Sequence, residues 1–344
     1  MNRSLMSRYS RGLSLIELMV ALVLSLVIGA AVLQMFLASK TTYRVQDAMA
    51  RVQENGRFAV SFLASDIRMA GFMGCGNLNE ITINVIANPA PIDATNPLGQ
   101  VIGGTNNVGA TNAWNAVAGT DVLSIRRASS AGVSLVGNLA TDNANIQVAN
   151  NDLGLVAGDT LFLSDCLSAD IFRATNVSSG GGKTTIAHAN NSNTSNKLSK
   201  AYGADAELLA FESITYFIRD TGRKTTSGAP VNALMVERKF ANRSDASANP
   251  VELVDGVQDM QLEYGVATGA NMIASDYLTA NAVTDWTKVV SVRFSLLLQS
   301  IDGNVVASSG AASQVLSFNG AAVPADGRLR QVFGSSVAIR NRVR

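Results

Sequence analysis

Hydrophobic positions are arranged in two different ways along the start of this chain. From Leu13 to Leu37 they are nearly continuous, twenty-five residues with a single formal charge, Glu17. Beyond Lys40 they become periodic. Val45, Met49, Val52, Gly56, Ala59, Leu63 and Ala70 recur at spacings of three, four or seven, with Arg44, Asp47, Arg51 and Glu54 off that stripe. The first pattern predicts a helix that is apolar on every side, the second an amphipathic helix with one face against a core. No proline precedes Pro89, so nothing forces a break between the two. Gly56 costs about 1 kcal/mol relative to alanine and permits a bend or a close approach. Gly71 and Gly74 supply the stop. Phe58 and Phe62 lie on the other face, toward neighbouring molecules or the same head.

After the helix the period changes. Asn77 to Thr120 has no sustained pattern and reads as a long loop region with one short strand at Ile81–Ile86. Strand-like runs follow at Val122–Arg126, Val133–Val136, Thr160–Ser164, Ile171–Val177 and Lys183–Ala187. Ser178 to Gly182 links the last two as a hairpin, and the polar stretch Asn190–Lys200 is expected to be a solvated loop. Longer runs come next, at Leu208–Arg219, Val231–Phe240, Val289–Leu298 and Gln331–Ile339. Val251–Val257 is expected to form a helical turn leading into Met260, Leu262 and Tyr264, which alternate as on a half-buried strand. One long helix followed by many strands is an α+β pattern.

The apolar run has a physical size. As a helix it is about 37 Å long, enough to cross a hydrocarbon core of about 30 Å. Arg3, Arg8 and Arg11 precede it without an acid, which orients the N-terminus toward the cytoplasm. A cleaved secretory signal would need a shorter apolar region. Gly29-Ala30-Ala31 could serve as its cleavage site, but apolar sequence continues through it. An unprocessed signal anchor fits the length and leaves Glu17 without a reason. A carboxylate inside a membrane span is costly enough to imply a function.

The segment Gly12-Leu13-Ser14-Leu15-Ile16-Glu17 resembles the type IV prepilin processing site: a short basic leader ending in glycine, a hydrophobic first mature residue, and a glutamate four residues later. The resemblance implies that a dedicated membrane peptidase cuts after Gly12 and methylates the new terminus at Leu13. It also makes Glu17 the assembly carboxylate. Phenylalanine is commoner than leucine at the first mature position.

Composition narrows the remaining classes. Without residues 1–12 the chain has 24 basic and 26 acidic residues, so no strong field draws nucleic acid. Cys75 and Cys166 are the two cysteines. Outside the cytoplasm an even count favours a disulfide, worth about 4–5 kcal/mol for a loop of some ninety residues. The alternative is two buried free thiols. Gly180-Gly181-Gly182-Lys183-Thr184 lacks the first glycine and the following helix of a phosphate loop. His188 is the single histidine and reads as a solvated loop residue. With no second histidine or cysteine cluster, no zinc site can be drawn, and no nucleophile elbow accompanies it. No catalytic residue, metal or cofactor is expected. Arg328, Arg330, Arg340, Arg342 and Arg344 make the C-terminus basic, read as alternation along a strand or a solvated tail.

The head extends the resemblance. Asp66 to Cys75, the Asp165-Cys166 segment, Leu253 to Gly265, Val290 to Leu297, and Val332-Phe333 with Ile339 to Arg342 are similar to the PilW-type minor pilins. The resemblance implies a pilin-like α+β fold: a leader at 1–12, a transmembrane assembly half-helix at 13–37 and an amphipathic half at 38–71. A loop-rich first part of the head would cover 72–205 and a C-terminal β-sheet part 206–344. It implies a non-enzymatic subunit of the inner membrane with its head in the periplasm, entering a pilus through contacts of its N-terminal helix with other minor pilins and the major pilin. The prepilin peptidase and the pilus assembly platform would be its other partners, and nucleic acid is not expected as a direct one. The priming of pili for twitching motility, adhesion or DNA uptake would be its role. A type II secretion pseudopilin shares the N-terminal logic, and a membrane-anchored periplasmic binding module that never polymerises is the alternative of another class.

Overall fold

The structure is a computed structural model and describes residues 14–75, 80–92, 97–225, 228–241, 243, 249–269, 272–303, 305–306 and 317–342. Helix α1 runs unbroken over Leu15–Arg68, 54 residues, or about 81 Å. It starts at Ser14, whose side chain caps the first turn. It ends one turn before Gly71, which sits at φ 68° and donates its N–H to Arg126 O at 3.0 Å.

Seventeen strands follow among the described residues. They are β1 (Thr82–Val85), β2 (Ile102–Thr105), β3 (Val122–Ser134), β4 (Ile146–Val148), β5 (Thr160–Ser164), β6 (Ser168–Arg173), β7 (Asn176–Gly180) and β8 (Lys183–Ala187). The second half contributes β9 (Glu207–Lys224), β10 (Pro230–Phe240), β11 (Val251–Asp255), β12 (Val257–Ala267), β13 (Ala274–Leu278), β14 (Val289–Gln299), β15 (Ser317–Phe318), β16 (Ala321–Ala322) and β17 (Arg330–Ala338). The protein is thus a long N-terminal helix followed by a β-rich head.

The larger sheet is organised around β9. Its first residues pair with β5 and the rest with β10, while β3 runs along the opposite edge. Beyond them lie β6 and β1 on one side, β11 on the other, and β2 outside β3. The two sequence halves of the head therefore share one sheet. The second sheet has the order β13-β12-β14-β17, antiparallel throughout. A small sheet, β4-β8-β7, closes over β5 and β6 around Phe172, Ile146 and Ile186. The main core lies between the two large sheets and takes in one face of α1.

Several expectations need correction. Residues 251–257 form no helical turn. Val251 to Asp255 pair with β10, as β-branched residues favour, and Gly256 then turns the chain into the second sheet. That turn has φ 75°, a region open to glycine, and a Cβ there would stand 2.6 Å from Gln299 O. The run at 171–177 is split, because β6 stays in the large sheet while β7 leaves to pair with β8. The runs at 122–126 and 133–136 are one strand, β3, with an irregularity after Ala128. The 190–200 stretch is not simply solvated. Asn193 is buried and its side chain bonds Arg173 N, Arg173 O and Ala189 O at 2.7–3.0 Å.

On α1 the buried seam is Ala48, Val52, Gly56, Ala59, Leu63, Asp66 and Ile67. Met49 points outward, 44% exposed. Small residues spaced by four at 48, 52 and 56 let the sheet approach closely, and Met49 falls off that line. Phe58 and Phe62 are also on the outer face, with ring centroids 4.5 Å apart.

Candidate functional site

Among the described residues the N-terminal half of α1 has no partner. Leu15 through Leu37 are exposed all round, and the most apolar stretch of this helix has a mean hydropathy of 2.6. By length and composition this is a helix able to cross a membrane. Gly12 and Leu13 lie outside the described residues. Glu17 is described, and it is already engaged. Its Oε2 accepts the Ser14 N–H at 2.8 Å, and the Ser14 Oγ accepts the Glu17 N–H at 3.2 Å. This reciprocal pair is a capping box. The pattern Ser14-x-x-Glu17 before an apolar run is its sequence signature, legible beforehand and missed. Among the described residues nothing occupies Glu17 Oε1.

The other half of α1 is fastened to the head at three levels. At Gly56 the ring of Phe333 on β17 lies against the helix backbone, where a Cβ would overlap it. Here the glycine serves a close approach, one of the two uses its position allowed. At the helix end, Asp66 accepts from Tyr216 Oη at 2.5 Å and from Arg238 Nη2 at 2.8 Å, with Arg127 Nη1 at 3.4 Å. Arg127 also donates to Glu212 at 2.9 Å. Burial and the adjacent Asp66 carboxylate raise the Tyr216 pKa, so its hydroxyl is kept as a donor. Asp66 is thus a charge on the buried face of a helix, satisfied by three strands of the large sheet. Just beyond the helix, Cys75 is bonded to Cys166 in the turn between β5 and β6, with Cα atoms 4.9 Å apart.

The C-terminal arginines also differ from expectation. Arg328, Arg330 and Arg342 are buried, whereas Arg340 is exposed, and Arg344 lies outside the described residues. Arg330 is held bidentately by Asp326 at 2.7 and 2.9 Å and reaches Gln258 and Gln299. Arg342 donates to the carbonyls of Trp286 and Val289. Burial pulls its guanidinium down to about 10, with Asp285 opposing the shift, so it stays charged at neutral pH. These side chains close the second sheet onto its neighbours instead of forming a solvated tail. Nor is His188 solvated. It is 3% exposed, its Nε2 lies 3.0 Å from Ala144 O, and its ring meets Phe172 edge-on at 5.5 Å. No cluster of three or more His, Cys, Asp or Glu side chains suited to a metal occurs among the described residues.

Asp121 joins the two sheets. It stands at the entrance to β3, donates its N–H to Met260 O, and accepts from Asn107 N at 2.8 Å and Leu262 N at 2.7 Å. Burial pushes its carboxyl up to about 6, against the lowering effect of those two N–H groups. An aspartate with a raised folded-state pKa binds its proton more tightly folded than unfolded, so its contribution to stability is present below about pH 4 and lost as the pH rises through 6. The ceiling on that loss is about 2–3 kcal/mol. Urea unfolding of the wild type and Asp121→Asn at pH 4.5 and pH 7 should show it. The wild type loses stability relative to the variant on going to pH 7, and a pH-independent difference would remove Asp121 as the cause.

Two family models match parts of this chain. Residues 215–341 match the family described as Type IV Pilus-assembly protein W, and residues 7–33 match the prokaryotic N-terminal methylation motif. No curated protein matches the chain. Among solved structures, a type IV-like pilin from Thermus thermophilus is similar at 16% identity, over 39% of this chain and 67% of that one, with a TM-score of 0.23. A superposition of that quality carries no argument.

Proposed function

We propose that this type IV pilin-like chain, with a PilW-type domain and an N-terminal methylation motif, is a minor pilin that helps prime the assembly of type IV pili. It is stored in the inner membrane, N-terminus inward and head in the periplasm. The prepilin peptidase cuts after Gly12 and methylates Leu13. The observation that carries this reading is one continuous helix with two environments: Leu15–Leu37 bare on every side, and the second half clasped by the head. A rod of this kind keeps its head while exchanging lipid for the helices of other pilins at the assembly platform.

Glu17 gives the exchange its selectivity. Its Oε2 is engaged by Ser14, which fixes the carboxylate against the first turn and leaves Oε1 for the amine of a neighbouring processed subunit. Removing one member of a desolvated charge pair costs about 3–5 kcal/mol. Glu17→Ala is therefore expected to insert in the membrane as the wild type does, and to be at least tenfold depleted from sheared pili. Mass spectrometry of the wild-type subunit should show N-methyl-Leu13 as its first residue. Normal incorporation of the variant would refute the charge-pair mechanism, and an intact Met1 in assembled protein would refute the processing.

A further inference from the structure

Two cavities of about 250 and 470 Å³ lie side by side on the outer face of the second sheet, sharing Asn107, Phe318 and Asn319 in their walls. The floor is β12 and β14. One wall is the loop around Asn106 and Asn107, and the hairpin β15–β16 crosses over the middle. The hairpin is pinned there by Asn319, which donates to Gln261 Oε1 at 2.8 Å, while Gln261 Nε2 bonds Gly119 O and Asp259. Together the cavities make one groove in the size range of small-molecule sites.

The groove is lined by polar side chains that a ligand could reach, Asn107 and Thr279 exposed and Asn106, Asn232 and Ser295 half-buried. Among the described residues, the side chains of Asn106, Asn107, Asn232, Thr279 and Ser295 line it and make no hydrogen bond of their own. Three amides and two hydroxyls offer donors and acceptors in pairs, the complement of adjacent hydroxyl groups. The half-buried ring of Phe318 stands between them as an aromatic surface. Charge limits the choice of ligand. Arg293, the cation in the walls, is already engaged by Glu263 at 3.2 Å and stacked over Tyr277 at 3.8 Å. Asp259 and Glu263 leave the lining acidic, which disfavours phosphates, nucleic acid and acidic sugars. The lining is too polar for a lipid tail.

We infer that this groove binds a neutral saccharide, its hydroxyls on the free amides and its C–H face against Phe318. The inference is independent of the proposed assembly role, since the groove lies on the head and uses no part of α1. The test is saturation-transfer NMR on the full chain in a sugar-free zwitterionic detergent, with maltose, lactose, mannobiose and N,N′-diacetylchitobiose as probes. Saturation of at least one is expected. Asn232→Ala and Ser295→Ala should each weaken it, and their combination by tenfold or more. Asn107 has φ 48°, so its variant is Asn107→Gly, which keeps that backbone and should act in the same direction. Unchanged circular dichroism and thermal midpoints establish that the variants are folded. No transfer from any probe, or transfer undiminished in folded variants, overturns the inference. A loss of binding that leaves Leu13 methylated and pilus incorporation intact supports it separately from the assembly reading.

Discussion

Replacing Asp66 by alanine should lower the unfolding free energy of the head by about 3–5 kcal/mol, the usual cost of removing one partner from a buried charge pair. The side chain is 9% exposed and faces Arg127, Arg238 and the Tyr216 hydroxyl at once. Its removal leaves Arg127, itself 11% exposed, with Glu212 as its one remaining acid, and Tyr216 without an acceptor. Tyr216→Phe removes one neutral donor and keeps the charges, so about 1 kcal/mol is expected. Arg238 is 39% exposed at its side chain, and water replaces much of what Asp66 gives it. Urea denaturation of the three proteins checks the order. Equal losses for Asp66→Ala and Tyr216→Phe would mean that the hydroxyl, and not the charge, ties the helix end to the sheet.

Gly56→Leu should be damaging too, by about 2–3 kcal/mol. The Phe333 ring fills the space where the new side chain would begin. Overpacking alone costs about 1–3 kcal/mol. The alternative, driving Phe333 out from under the helix, gives up about 1.5–3 kcal/mol of burial. Both are expected in part. The second effect is the more informative, since it loosens β17 from α1 and should raise amide exchange along 330–338 while leaving β3 and β9 protected. The compensating pair Gly56→Leu/Phe333→Ala should recover part of the loss. No recovery would place the clash elsewhere.

The helix was largely legible beforehand, because its two hydrophobic patterns report two environments directly. The strands Thr160–Ser164 and Lys183–Ala187 were read with the bounds they have, since short β-branched runs between turn residues leave little choice. Residues 251–257 were misread because a β-strand that ends at a positive-φ glycine and restarts in another sheet has no local signature. Strands β2, β4 and β13 were missed for a related reason. They are three to five residues long, too short to show a period of two. The same limit explains the site. Glu17 stood out as an acid in an apolar run, and Ser14 beside it could have been read as its capping partner. Asp66 could have been noticed as an acid on an apolar stripe, but its three partners lie on strands far along the chain. Arg342 and His188 looked solvated because nothing local shows that two carbonyls and an aromatic edge will meet them, whereas the acid that holds Arg330, Asp326, lies four residues away and could have been noticed.

The last strand has a consequence of its own. Strand β17 lies against the second half of α1, and just beyond it Arg340 N donates to Arg68 O at 3.1 Å. Residues 330–340 must therefore dock before the seam Ala48–Ile67 is fully covered. Contacts of such sequence separation form late. A chain emerging from synthesis N-terminus first will hold a bare apolar stripe on α1 until residues 330–340 arrive, and a deletion that removes β17 should leave that stripe open to chaperones and proteases.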